Sequence, residues 1–236
     1  MVKSIAIVGG SSDIAKSTIS SMSADAYKFH VLVRDDSHTQ ELSALGVNVV
    51  LGDATSEEDI KNFISGVKES AEIHAVLHCV GSFAVRPPHA MNKEAFETVI
   101  STNLTSAFLT LSIAGKAMLS QGHGRMVFMS SVAGSLGLVN HEAISAAKGG
   151  IESMVRSAAA TYANRGLRIN AVAPGLTDTK LASPIMSNET ASQAASQKIP
   201  IKRVGQKEEV ANVIKWLLTE APENFTGQIL HTDGGM

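Results

Sequence analysis

Short apolar runs alternate along the chain with longer amphipathic stretches. Ile5–Val8, Phe29–Val33, Val47–Leu51, Ala75–Val80, Arg125–Met129 and Leu167–Ala173 are compact apolar segments closed by turn residues, the mark of buried strands. Helical patterns fill the gaps: from the Gly9–Gly10 turn to about Met22, His38–Leu45, Ser56 to about Ser70, Lys93–Ser120, a small-residue stretch ending near Tyr162, and Lys207–Leu218. Such alternation predicts an α/β fold, a doubly wound parallel sheet with helices on both faces.

Two strand ends carry binding chemistry. The first runs into Gly9-Gly10-Ser11-Ser12-Asp13-Ile14-Ala15 and then a helix, the strand–turn–helix context of a dinucleotide phosphate site. Backbone N–H groups at the helix start point at a pyrophosphate, and glycine lets the backbone come close. The same residues would also make a tight turn capped by Ser12 or Asp13 with no ligand. The second strand ends in Val33-Arg34-Asp35. An acidic residue there would favour NAD, whereas Arg pairs with a 2′-phosphate. Arg34 therefore favours NADP(H) over NAD(H), unless Arg34 is simply solvated and Asp35 or Asp36 reads the ribose.

A third strand end, Ser130-Ser131, leads through a glycine-bearing loop into a helix that carries Lys148 among small residues. A hydroxyl at a strand's C-terminal end, facing a helical lysine, is a layout for chemistry at an open sheet edge. His78 and Cys79 occupy adjacent strand positions and so face opposite ways, which argues for packing and against a metal pair.

Composition narrows the classes. In 236 residues, 44% hydrophobic and 18% charged, there is material for one domain with a substantial core. A net charge of −2, dispersed along the chain, gives no nucleic-acid surface. The apolar run at the N-terminus is too short to span a membrane. The single cysteine excludes an internal disulfide and suits a cytoplasmic location.

At the Ser131…Lys148 stretch the chain resembles the short-chain dehydrogenase/reductase family, and the resemblance runs from Ile5 to the closing Asp233-Gly234-Gly235-Met236. In general pattern it is similar to the 3-oxoacyl-carrier-protein reductases. The resemblance implies a single Rossmann domain over residues 1–236 with strand order 3-2-1-4-5-6-7, and a substrate lid at about 180–200. It also implies a homotetramer or homodimer, built partly from the helices Lys93–Ser120 and His141–Tyr162. The family's catalytic serine, lysine and asparagine map onto Ser131, Lys148 and Asn103. The asparagine there bends its helix through a backbone opening and anchors a proton relay. The cofactor positions map onto Gly9, Ser11, Ser12, Asp13, Ile14, Arg34, Asp53, Ala54, Val80, Gly81, Lys148, Pro174, Gly175, Thr177 and Thr179. Asp53 would contact the adenine edge or else cap the next helix.

Three departures are visible in the glycine turn: Val8 for threonine, and Asp13 and Ala15 for glycines. Asp13 would repel a pyrophosphate unless it turns away. The larger departure is Ile144, which stands where the family's catalytic tyrosine belongs, four residues before Lys148. Three readings follow. His141, three residues before Ile144, supplies the proton, or is only a polar residue of the first helical turn. Alternatively, the protein binds nucleotide without turnover, as a sensor or inert partner subunit. In the third, the substrate or a water supplies the proton. The expected activity is NAD(P)(H)-dependent hydride transfer to or from a small-molecule carbonyl or alcohol, with no metal.

Overall fold

The computed structural model describes residues 3–24 and 26–236. Its sheet strands are β1 (Lys3–Val8), β2 (Tyr27–Val33), β3 (Asn48–Leu51), β4 (Ile73–His78), β5 (Gly124–Met129), β6 (Leu167–Pro174) and β7 (Ile229–Thr232). They form one parallel sheet in the order β3-β2-β1-β4-β5-β6-β7, the doubly wound Rossmann arrangement expected. The order reverses direction between β1 and β4, where Val8 pairs with His78. A ligand crevice opens at the carboxyl ends of the strands flanking such a reversal.

Both faces of the sheet are buried. On β1, Ile5 and Ile7 point to one side while Ala6 and Val8 point to the other, all inaccessible to solvent. The first side packs on α1 (Asp13–Ser20) and α9 (Lys207–Thr219) through Ala15, Ile19, Val210, Ile214 and Leu217. The second packs on α3 (Glu57–Ser70), α5 (Ser106–Leu119) and α6 (Glu142–Tyr162) through Ile60, Phe63, Met118, Ile151 and Val155. Each of these helix side chains other than Ala15 contributes about 1.5–3 kcal/mol on leaving water. This burial outweighs weak local preferences such as the glycines of α6.

Several boundaries differ from the sequence expectation. The strand placed at Ala75–Val80 ends at His78, so Cys79, Val80 and Gly81 lie in the crevice loop. The helix expected to reach Met22 ends at Ser20, with Ser21 as its C-cap. The long pattern Lys93–Ser120 is interrupted: α4 (Lys93–Ile100) passes through a π-helical segment, Ser101–Thr105, into α5. By length and composition Lys93–Leu119 could cross a membrane; in this fold α5 lies in the core beside α3. The segment 180–200 holds a 3-10 turn and two short helices, α7 (Ser183–Met186) and α8 (Glu189–Lys198). A two-residue ladder also joins Thr177–Asp178 to Gly205–Gln206.

Candidate active site

Every candidate site residue named from the sequence borders one cavity of about 1340 Å³, at the carboxyl ends of the strands. It holds Gly9, Ser11, Ser12, Asp13, Ile14, Arg34, Asp53, Ala54, Val80, Gly81, Pro174, Gly175, Thr177 and Thr179 at one end. Asn103, Ser131, His141, Ile144 and Lys148 border the same cavity.

The glycine turn shows why its residues are what they are. Gly9 has φ +86°, and a Cβ there would sit 2.8 Å from the Cys79 carbonyl carbon. Only glycine allows the β1 turn to touch the loop after β4 this closely. Ser12 is the N-cap of α1, its Oγ accepting from Ala15 N at 3.0 Å, and it also lies 3.0 Å from Cys79 Sγ. The N–H groups of Asp13 and Ile14 open the helix, have no helical partner of their own, and border the cavity. They fit a dinucleotide pyrophosphate.

Asp13 does not cap the helix. Its carboxylate turns to the 180–200 segment and accepts from Lys180 N at 2.6 Å, with Lys16 Nζ at 3.5 Å. Burial raises its pKa, but the Lys180 N–H and the Lys16 ammonium outweigh burial and hold it below the usual carboxylate value. Nor does Asp53 cap the helix that follows. Ser56 does, accepting from Asp59 N, while Asp53 accepts from both Thr55 N and Thr55 Oγ1 at 2.8 Å. At the end of β2, Asp35 bonds the backbone and hydroxyl of Ser37. The Arg34 side chain is left 82% exposed at the cavity rim, 3.9 Å from Asp35.

Asn103 sits fully buried in the π-helical segment. Its Nδ2 donates to Val99 O at 2.9 Å, taking a carbonyl in the widened turn, and to Ser82 Oγ at 2.9 Å; its Oδ1 accepts from Ser82 N at 3.2 Å. Ser82 was not singled out in the sequence; a hydroxyl directly after Gly81 was the only clue. A Cβ at Gly81 would meet Asn103 Oδ1 at 3.5 Å and Lys148 Nζ at 3.7 Å, so both groups face the same small space. Lys148 is buried and donates to Met129 O at 2.8 Å. Burial pushes its ammonium down to about 8, with Cys79 opposing; because burial pushes the Cys79 thiol up, that opposition is weak.

His78 and Cys79 do pack. His78 Nε2 lies 2.9 Å from Ser106 Oγ, which donates to Thr102 O, so the imidazole fastens the π segment from below. Burial, with the Lys148 charge adding to it, pushes His78 down to about 3. Among the described residues no group of acidic, histidine or cysteine side chains is arranged to hold a metal.

Ser131 Oγ accepts from Ala133 N at 3.2 Å, which leaves its hydroxyl proton free to donate. His141 is the N-cap residue of α6, just before its first turn, and borders the cavity together with Ile144 and Lys148. Its Nδ1 is 2.7 Å from Val139 O. A carbonyl can only accept, so Nδ1 carries the proton and Nε2 is the free nitrogen. Ile144 belongs to an apolar cluster with Val99, Ala133, Ala143 and Ala147, bordered by Leu138 and Ala84.

A family model described as enoyl-(acyl carrier protein) reductase matches residues 9–236. The chain is 32% identical over 234 residues to the 3-oxoacyl-[acyl-carrier-protein] reductase MabA of Mycobacterium tuberculosis, covering 99% of this chain and 92% of that protein. It is 36% identical over 187 residues to cis-4-hydroxycyclohexanecarboxylate dehydrogenase of Sinomonas cyclohexanicum, covering 78% and 74%. Among solved structures, a short-chain type dehydrogenase/reductase from Mycobacterium ulcerans superposes with a TM-score of 0.92 at 27% identity, covering 99% and 89%. ElxO with NADP bound does so with a TM-score of 0.92 at 26% identity, covering 99% and 98%.

Proposed function

The chain belongs to the short-chain dehydrogenase/reductase family, and on that premise we propose an NAD(P)(H)-dependent oxidoreductase of carbonyl and alcohol groups, NADP(H) favoured over NAD(H), whose active site lacks the family's phenol. One observation carries the reading: the nucleotide-turn residues and the set Asn103, Ser131, His141 and Lys148 border a single cavity. A nicotinamide bound there supplies or accepts the hydride at the substrate carbon.

The protein's own residues do the rest. Asp13 and Ile14 N–H groups receive the pyrophosphate, and the exposed Arg34 pairs with the 2′-phosphate. ElxO, a structural relative, holds NADP. Asp53 and Ala54 border the adenine, while Val80, Gly81, Pro174, Gly175, Thr177 and Thr179 line the path to the nicotinamide. Lys148 bonds the nicotinamide ribose. Ser131 donates its hydroxyl to the substrate oxygen, stabilising the charge that develops as the carbonyl π pair moves onto it. His141 donates the proton from Nε2. Because Nδ1–H is committed to Val139 O, the donor form is the imidazolium, which carries its second proton on Nε2. The segment 180–200 closes as the lid. Exposed Phe96 and Phe108, on α4 and α5, support a homotetramer or homodimer through those helices, and the free thiol of Cys79 suits a reducing cytoplasm.

A second reading has its own observation. Ile144 is embedded in an apolar cluster, which suits a protein that binds nucleotide and turns nothing over. Titration with NADPH and NADH, followed by nicotinamide fluorescence, tests both. NADPH should bind at least about tenfold tighter than NADH, and Arg34→Ala should abolish that difference while leaving NADH binding unchanged. Failure of both nucleotides to bind at high micromolar concentration ends the oxidoreductase reading. With a reduced carbonyl in hand, an unaltered rate in His141→Ala excludes His141 as the donor.

A further inference from the structure

Nine large apolar side chains are exposed among the described residues, and five of them, Phe83, Val85, Val139, Leu181 and Met236, line this one cavity. They come from four separate stretches of chain, so no single loop accounts for the clustering. Val139 is 83% exposed and Leu181 51%, a cost in water that isolated surface positions rarely concentrate at one place.

The lid adds a second, independent observation. Its helix α8 is rich in serine and glutamine, yet it lines the cavity with Ala191, Ala194, Ala195 and Lys198. These positions follow the spacing i, i+3, i+4, i+7, which is one helix face. Ser192, Gln193, Ser196 and Gln197 are not among the lining residues. The inner face is thus alanine, closed by a single cation at its outer end. Ile144, with Leu138 and Ala84, also reaches the cavity surface, an edge of the apolar cluster of Val99, Ala133 and Ala147. On the α4 side Thr98 turns its hydroxyl to Glu94 O at 2.8 Å, offering the cavity no free donor.

From these walls we propose that the half of the cavity beyond Lys148 takes an uncharged carbonyl compound or secondary alcohol with an aliphatic or alicyclic body, held between Ile144–Leu138 and the alanine face of α8. The proposal rests on the oxidoreductase reading for the identity of the reacting group. The body is recognised by loss of water from apolar surface, and the reacting oxygen by Ser131 and His141. Between the Ile144–Leu138 surface and the alanine positions of α8 a carboxylate or a polyhydroxy chain would lose its hydration to side chains that return no hydrogen bonds, Lys198 standing only at the outer end of that face.

The test titrates octan-2-one, cyclohexanone, dihydroxyacetone and pyruvate into NADPH-loaded protein, reading thermal shift and nicotinamide fluorescence. Octan-2-one and cyclohexanone should bind at least about tenfold tighter than the two polar carbonyls. In Ala194→Asp or Leu181→Asp, octan-2-one affinity should fall about tenfold. Both substitutions lie on the exposed lid, where folding does not depend on them. Tighter binding of dihydroxyacetone or pyruvate, or unchanged octan-2-one binding in both variants, overturns the assignment while leaving the nucleotide reading intact. If NADPH itself fails to bind, the oxidoreductase reading falls, and the same titration on nucleotide-free protein decides the apolar site on its own: preference for octan-2-one sustains it, and no preference removes it.

Discussion

The two halves of the cavity are built on opposite principles. At the proposed nucleotide end the polar side chains are tied by hydrogen bonds, Ser12 to Ala15 N, Asp35 to Ser37 and Asp53 to Thr55 locally, and Asp13 to Lys180 N across the chain. They stand on turns that leave β1, β2 and β3, so the sheet fixes their positions. At the lid end there are few polar ties, and the surface is alanine and branched aliphatic side chains on loops and a short helix. The first half can read a fixed ligand atom by atom. The second can only sort by polarity and size, and it can change its contents without disturbing the sheet.

Substitutions can break or sharpen that contrast. The largest effect should come from adding one methyl group at the rigid end. Gly9→Ala forces a Cβ to 2.8 Å from the Cys79 carbonyl carbon at a positive φ, and should cost about 3 kcal/mol or more in urea unfolding. Unchanged stability would mean that the crevice yields as easily as the lid. Next comes Lys148→Met. On the proposed reading it removes the cation placed to bond the ribose, so NADPH affinity should fall about 30-fold. It should also make the protein more stable, because the pKa gap between 10.5 unfolded and about 8 folded means a buried charge costing about 3 kcal/mol. Loss of the bond to Met129 O takes back about 1 kcal/mol. Because the folded pKa is the lower one, the wild type regains this stability as pH rises from 8 to 10.5, and the two proteins should converge above that range. Convergence already at pH 7 would show that Lys148 pays no burial cost. The smallest effect is that of Asp13→Asn, which keeps an acceptor for Lys180 N but removes a negative charge beside the pyrophosphate position. NADPH should bind about fivefold tighter, and the gain should shrink in salt. A loss of affinity would mean that the carboxylate itself assists binding.

The fold was legible because each central strand is a short apolar run and the helices that pack on the sheet keep apolar faces. These patterns are local, and burial enforces them. The residues that border the cavity were legible for the same reason, since they sit on the turns that begin at each strand end, from Gly9 after β1 to Gly175 after β6. What was not legible lies in pairings between distant segments. Asp13 meets Lys180 across 167 positions, and nothing near either residue announces it. The alternative that Asp53 caps the next helix failed because Ser56 was nearer the first turn and reached Asp59 N instead. The inner face of α8 has regular helical spacing, but alanine against serine gives too little contrast for that spacing to show. The π segment left no periodic mark at all; only the resemblance at Asn103 pointed to a bend, and it depends on Asn103 meeting the loop at Ser82.

The cavity also ties function to the time course of folding. Its lining runs from Gly9 to Met236, and each neighbouring strand pair in the sheet is parallel. No strand pair can form as a hairpin, and each must wait for a crossover of many residues to close. Loop-closure entropy is spent before those contacts give anything back, so folding of such a topology is slow. The lining takes residues from the turn after every strand of the sheet, from Gly9 after β1 to Met236 after β7, so the cavity is whole only when all seven strands are paired.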